Sequence, residues 1–132
     1  MLRGKQTEAR DNHLGANSVI EVLSFYNEFD KKQTMSIYVV NTYDIHDFET
    51  FKKYPPRVAL LLVKYGAKVL AMDTAPKVLE GTPRMINAII EFPSEEAVND
   101  FYNDPEYQSF IHLRHNSTSN CTMLMLKQFE KK

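Results

Sequence analysis

The apolar and polar positions of this chain fall into two similar runs of strand, broken helix and strand. From Ser36 to Tyr43 the residues alternate, Ile37, Val39, Asn41 and Tyr43 against Tyr38, Val40 and Thr42, which predicts a first strand. Phe48, Phe51 and Tyr54 begin a helix that is expected to break at Pro55-Pro56. Val58, Leu61, Leu62 and Tyr65 continue in helical spacing until Gly66, which suits a C′ position. Lys68 to Met72 reads as the second strand.

The second run is the better marked. Met85 to Phe92 holds six apolar residues in eight, too continuous for a strand with one wet face, and Pro93 stops it. Ser94 is placed to cap a helix, with Glu95 and Glu96 in its first turn and Ala97, Val98, Phe101 and Tyr102 as its apolar stripe. Asp104-Pro105 restarts the helix, and Tyr107, Phe110, Ile111 and Arg114 follow on one face. Asn116 to Asn120 reads as a polar loop, and Cys121 to Phe129 as the last strand.

The order β, broken helix, β, β, broken helix, β predicts an α+β, ferredoxin-like βαββαβ domain with an antiparallel sheet. Right-handed crossovers place strands one and three in its middle. Helices can cover only one sheet face. If the larger aliphatics face the helices, the open face carries Ile37, Val39, Asn41 and Tyr43 with Met85, Ile89 and Glu91. So apolar a face implies pairing with a second copy, a homodimer through the sheet face forming an α/β barrel.

The N-terminus is separate in character. Residues 1 to about 17 are polar and aperiodic. Ser18 and Glu21 then form a capping-box pair ahead of Val19, Val22, Leu23, Tyr26 and Phe29, an amphipathic helix of about three turns ending near Asp30 to Thr34. The expected division is residues 1–34 as an extension and 35–132 as the domain. Two readings of the extension stay open: a helix added to the domain, or a natural start at Met35.

Ile90-Glu91-Phe92-Pro93-Ser94, the following Ala97, Phe101-Tyr102, Asp104 to Gln108 and Leu113-Arg114 resemble a domain family of unknown function, DUF1330. Tyr38-Val39, Asp47, Tyr54, Tyr65-Gly66, Leu79-Glu80-Gly81 and Arg84 fall in the order that family shows, from Ile37 to about Phe129. Thr82-Pro83 stands where members often carry a tryptophan and a second proline. Tyr65 and Ala67 replace a frequent histidine and a frequent second glycine. The resemblance implies the dimeric α/β-barrel superfamily. That superfamily includes cofactor-independent monooxygenases, isomerases and haem-degrading enzymes, so a small-molecule site is an analogy at the level of fold.

Composition narrows the classes. The 132 residues suit one core, and a net charge of −1 argues against a nucleic-acid partner, which would call for a basic face. No apolar run reaches the ~20 residues of a membrane span, and the basic N-terminal residues make a poor signal peptide. One cysteine, Cys121, cannot form an internal disulfide, which points to a reducing compartment and the cytoplasm. With no histidine or basic residue beside it, Cys121 is expected to be a buried, inert thiol.

Glu91 is the sharpest candidate, a carboxylate in an apolar strand. It serves either as a general base or ligand anchor, or as a strand-end group bonded to helix amides or to an arginine, Arg84 or Arg114. Tyr107 and Arg114, seven apart on one helical face, could line a pocket between sheet and helices together with Asn87 and Glu91, and Asn41 joins them as a ligand-binding candidate. Tyr107 equally suits a core ring with a polar tip. His112 and His115 stand three apart near a helix end without a third ligand close in sequence, and His46 reads as a loop residue. No phosphate loop, nucleophile elbow or zinc pattern occurs, and no cofactor is implied. Two functional classes follow: a small-molecule site, with catalysis as an open question, or a non-catalytic dimeric binding or stress-associated module.

Overall fold

The computed structural model describes residues 18–25 and 35–130, and the chain divides into two units at residues 34 and 35. In the first unit residues 18–25 form a helix, α1, on which Ile20, Val22 and Phe25 are exposed. The expected continuation through Tyr26 and Phe29, and the polar residues before Ser18, lie outside the described residues.

The second unit begins with β1 (Ile37–Ile45), followed by α2 (Phe48–Phe51) and α3 (Tyr54–Lys64). Next come β2 (Lys68–Asp73) and β3 (Ile86–Phe92), then α4 (Glu95–Tyr102), α5 (Pro105–Phe110), α6 (His112–His115) and β4 (Thr118–Lys127). The strands pair antiparallel in the order β2-β3-β1-β4, so β1 and β3 are central as the crossover rule requires.

Local chemistry accounts for the element boundaries. Asp47, Ser94 and Asp104 cap α2, α4 and α5 by accepting from the amides of Thr50, Ala97 and Glu106. Gly66, at φ 72, closes α3. There the Gly66 amide donates to Val63 and the Ala67 amide to Leu62, the paired bonds of a Schellman cap. Pro55-Pro56 does not break the helix as expected. The break falls at Lys52-Lys53, and the prolines occupy the first turn of α3, where amide protons have no intrahelical acceptor to lose. Likewise β4 starts at Thr118, inside the stretch read as a loop.

Sheet facing differs from the sequence expectation on β1. Ile37, Val39, Asn41 and Tyr43 are buried beneath the helices, and Tyr38, Val40 and Thr42 look outward. The register fixes this, since Tyr38 lies opposite Glu91, Val40 opposite Ile89 and Thr42 opposite Asn87. Directly opposed residues share a face. The uncovered face therefore presents Tyr38, Val40 and Ile89, with Leu126 and Leu124 of β4 opposite the first two. Leu124 is 54% exposed and Leu126 45%. The face is apolar, as expected, and Ile89 and Glu91 lie on it as expected, but β1 contributes Tyr38, Val40 and Thr42 in place of Ile37, Val39, Asn41 and Tyr43.

The core lies between sheet and helices. Tyr107 and Phe110 are fully buried at its centre, and their rings meet edge-on at 5.5 Å. At its edge the Asp104 carboxylate accepts from Tyr65 at 2.5 Å and Lys64 at 3.0 Å, tying α5 to the end of α3. The Tyr65 hydroxyl, then the Lys64 ammonium and the Glu106 amide, hold this carboxyl down at about 2. A depressed pKa contributes stability that is present above the ordinary value of 3.8 and lost as pH falls toward about 2. Asp104→Asn should thus flatten the acid limb. Urea melts at about pH 5 and about pH 2.5 should show the variant trailing wild type at the higher value and by a clearly smaller gap at the lower. A constant gap at both would remove Asp104 from the acid response.

Candidate functional site

Between the sheet and helices α3 and α4 lies a cleft of about 280 Å³. Val39, Asn41, Tyr43, Ile86, Ala88 and Ile90 form its floor, Tyr54, Val58 and Leu62 one wall, Val98 and Phe101 another, and Tyr107 closes its inner end. The volume is at the low end of the ~300–1,000 Å³ usual for small-molecule clefts. Its lining is apolar apart from one amide and a group of phenols.

The amide is Asn41. It comes from the middle of the central strand, is 8% exposed, and its Oδ1 is buried without a hydrogen-bond partner. An unpaired buried acceptor costs ~1–3 kcal/mol. In a core otherwise well paired, such a group is a reason to look for a ligand.

The phenols form a chain. Tyr54 Oη and Tyr107 Oη are 2.8 Å apart, and Arg114 Nη2 donates to Tyr107 Oη at 3.3 Å. Tyr54 reaches this point because α3 starts at it, its first turn preset by Pro55-Pro56. Tyr107 and Arg114 stay on one face despite the interruption at Ile111 between α5 and α6. Burial pushes the Tyr54 hydroxyl well above its usual range and the Tyr43 hydroxyl up to about 12, so both remain neutral donors.

Arg114 lies behind the phenols, 2% exposed. Burial opposes its charge, while the hydrogen bond to the Tyr107 hydroxyl favours it, and the guanidinium stays cationic. Its Nη1 donates to Cys121 Sγ at 3.1 Å, its Cζ is 5.8 Å from the Tyr54 ring centre, and its Nε has no partner. Among the described residues no carboxylate is within ion-pairing distance of it. Cys121 corrects the expectation of a buried thiol without a cationic neighbour. It is exposed, since β4 is an edge strand that the helices leave partly bare, and the arginine reaches it from a helix.

The other candidates are elsewhere. Glu91 and Asn87 face the open side of the sheet, away from Tyr107 and Arg114, so the four do not line one pocket. Glu91 pairs with neither arginine: Ser36 Oγ donates to it, and Lys68 lies across the ladder. Asn87 donates to the carbonyls of Asp73 and Arg84. Arg84 bonds Asp44, which also receives the Met85 amide and Asn120. These three residues hold the strand ends and the β2–β3 connection. Thus Asn41 and Tyr107 line the cleft with Arg114 behind Tyr107, while Glu91, Asn87 and Arg84 lie elsewhere. Tyr54 and Tyr43 were missed as site residues. Among the described residues, no three of His, Cys, Asp and Glu gather as metal ligands, and no helix is long and apolar enough to cross a membrane.

Residues 36–129 match the model of a family described as a domain of unknown function, DUF1330. A crystal structure of a protein of unknown function from Rhodopseudomonas palustris is similar at 17% identity and a TM-score of 0.65, over 82% of this chain and 93% of that one. Another, from Bacteroides fragilis, is described as a dimeric protein of unknown function and ferredoxin-like fold. It aligns at 10% identity and a TM-score of 0.50, over 70% of this chain and 96% of that one. Among curated proteins none matches the chain.

Proposed function

The chain belongs to the DUF1330 family, and from its cleft we propose a homodimeric protein that binds a small, largely apolar molecule between helices and sheet. The observation carrying this reading is the cleft itself, an apolar space of about 280 Å³ with a buried, unpaired Asn41 oxygen and an arginine-backed pair of tyrosines. Apolar walls with a few convergent polar groups are the ordinary make-up of a ligand site. The amide and neutral phenols suit recognition, and a phenol beside a bound carbonyl would also suit proton donation in an enzyme-like step. The dimer is supported by the apolar open sheet face and by the description of the Bacteroides neighbour as dimeric. The single cysteine supports a reducing, cytoplasmic setting.

A thermal-shift screen of one- and two-ring compounds tests the cleft. A ligand confined to the native state adds about 2.7 kcal/mol at a hundredfold excess over Kd, so hits should raise the melting temperature by several degrees. Ala59 stands at the exposed rim of the cleft. Ala59→Phe should narrow the entrance and remove the shift while leaving the unliganded melt close to wild type. Hits that survive this change would bind elsewhere, and a screen without hits would end the reading.

A further inference from the structure

The hydrogen-bond inventory of the cleft is unbalanced in a definite way. Tyr54 and Tyr107 carry two hydroxyl protons, and their mutual bond uses one of them. Arg114 is a donor only, so its bond to Tyr107 Oη consumes none. One phenolic proton is left, and among the described residues nothing accepts it. On the floor, Asn41 Oδ1 is an acceptor with nothing donating to it. The cleft thus offers one spare donor at its inner end and one spare acceptor on its floor. Asn41 Oδ1 is closed to water as it stands and the amide nitrogen is not; a half-turn about the broad terminal torsion exchanges the two and brings the oxygen to the cleft, the buried atom lacking a protein partner in either orientation.

The charge behind the donor favours an oxygen that is electron-rich in the bound state. A full carboxylate fits less well. Arg114 does not line the cleft and is reached only through the tyrosines, so a carboxylate would lose its water without gaining a direct ion pair. A carbonyl oxygen gains the polarised donor at far smaller desolvation cost.

Resting on the cleft reading above, we propose that the ligand is a compact one- or two-ring hydroxy-ketone. Its carbonyl oxygen accepts from the Tyr54–Tyr107 pair and its hydroxyl donates to Asn41. The apolar remainder of the cleft takes the ring.

The test is a matched two-ring series titrated calorimetrically into the full chain: 6-hydroxy-1-tetralone, 6-methoxy-1-tetralone, 6-hydroxytetralin, tetralin and tetralin-1-carboxylate. The hydroxy-ketone should bind at least tenfold more tightly than tetralin, with both single-function compounds between them and the carboxylate no better than tetralin. Tyr54→Phe and Tyr107→Phe together should erase the advantage of a carbonyl, since either phenol alone keeps a free proton, and Asn41→Leu that of a hydroxyl, each leaving tetralin affinity intact. That retained affinity also shows that the variants are folded. Tetralin binding as tightly as the hydroxy-ketone would overturn the ligand class while leaving an apolar cleft standing, and a tighter carboxylate would overturn it in favour of an acid. If no compound in the series binds, both this inference and the cleft reading fall.

Discussion

Glutamate placed at Leu124 and Leu126 together is expected to convert a species of twice the 15.3 kDa chain mass into one of a single chain mass. Size-exclusion chromatography with light scattering at micromolar concentration reads the change. Both leucines sit on the uncovered sheet face, opposite Val40 and Tyr38 in register. In a face-to-face dimer each new carboxylate would be shut away from water, and the effective penalty is several kcal/mol per buried, unpaired ion. Two per protomer make four per interface. No ordinary association energy survives that, whereas the same side chains on a monomer would be harmlessly solvated. Leu60→Glu, on the outer side of α3 and 71% exposed, is the control and should leave the mass unchanged. A wild-type monomer would overturn the dimer, and a double variant of unchanged mass would put the interface elsewhere.

The identity of that face shows where sequence reading stops. Strands, helices and most of their ends were legible because each carries its own local signal: the Ser94 and Asp104 caps, the glycine at 66, the stripe through Phe101. The facing of β1 has no such signal. Ile37, Val39 and Tyr43 on one side and Tyr38 and Val40 on the other are about equally apolar, and the one amide, Asn41, goes inward against expectation. Only pairing decides it, because Glu91 and Ile89 must share a side with Tyr38 and Val40. The same uncertainty explains the candidate site. Tyr107 and Arg114 lie on one stretch of helix, so their spacing alone predicted their meeting. Joining them to Glu91 required the relation of a helix to a sheet face, which is set by tertiary packing. Tyr54 was passed over since a tyrosine in an apolar helical stripe reads as core. The informative sign was the proline pair after it, which fixes the first turn of α3 and with it the aim of the ring.

Arg114→Met is expected to keep or raise stability and to weaken hydroxy-ketone binding by up to about fivefold. An ordinary structural arginine would behave in the opposite way. Arg114 is nearly inaccessible to water, has an unpaired Nε, and among the described residues has no carboxylate within ion-pairing distance. Its bonds to Tyr107 and Cys121 are to uncharged or weakly accepting partners. Even well-paired buried ions can be replaced by apolar side chains of similar size at no cost or with a gain of ~1–4 kcal/mol. A buried cation without a counter-ion should yield at least as much to methionine, which is flexible enough to fill the space. The Tyr54–Tyr107 bond does not depend on the arginine and should persist. Binding should suffer because the phenolic donor loses the polarisation of the cation behind it, at most the difference of about 1 kcal/mol between a neutral and a charge-assisted hydrogen bond, which is about fivefold in Kd. Urea melts and calorimetric titration on the same two proteins decide the matter. A stability loss above ~2 kcal/mol with ligand affinity unchanged would make Arg114 a structural brace. Gain in stability with loss of binding is the signature of a residue the fold retains for its ligand, at a position where function and stability pull apart.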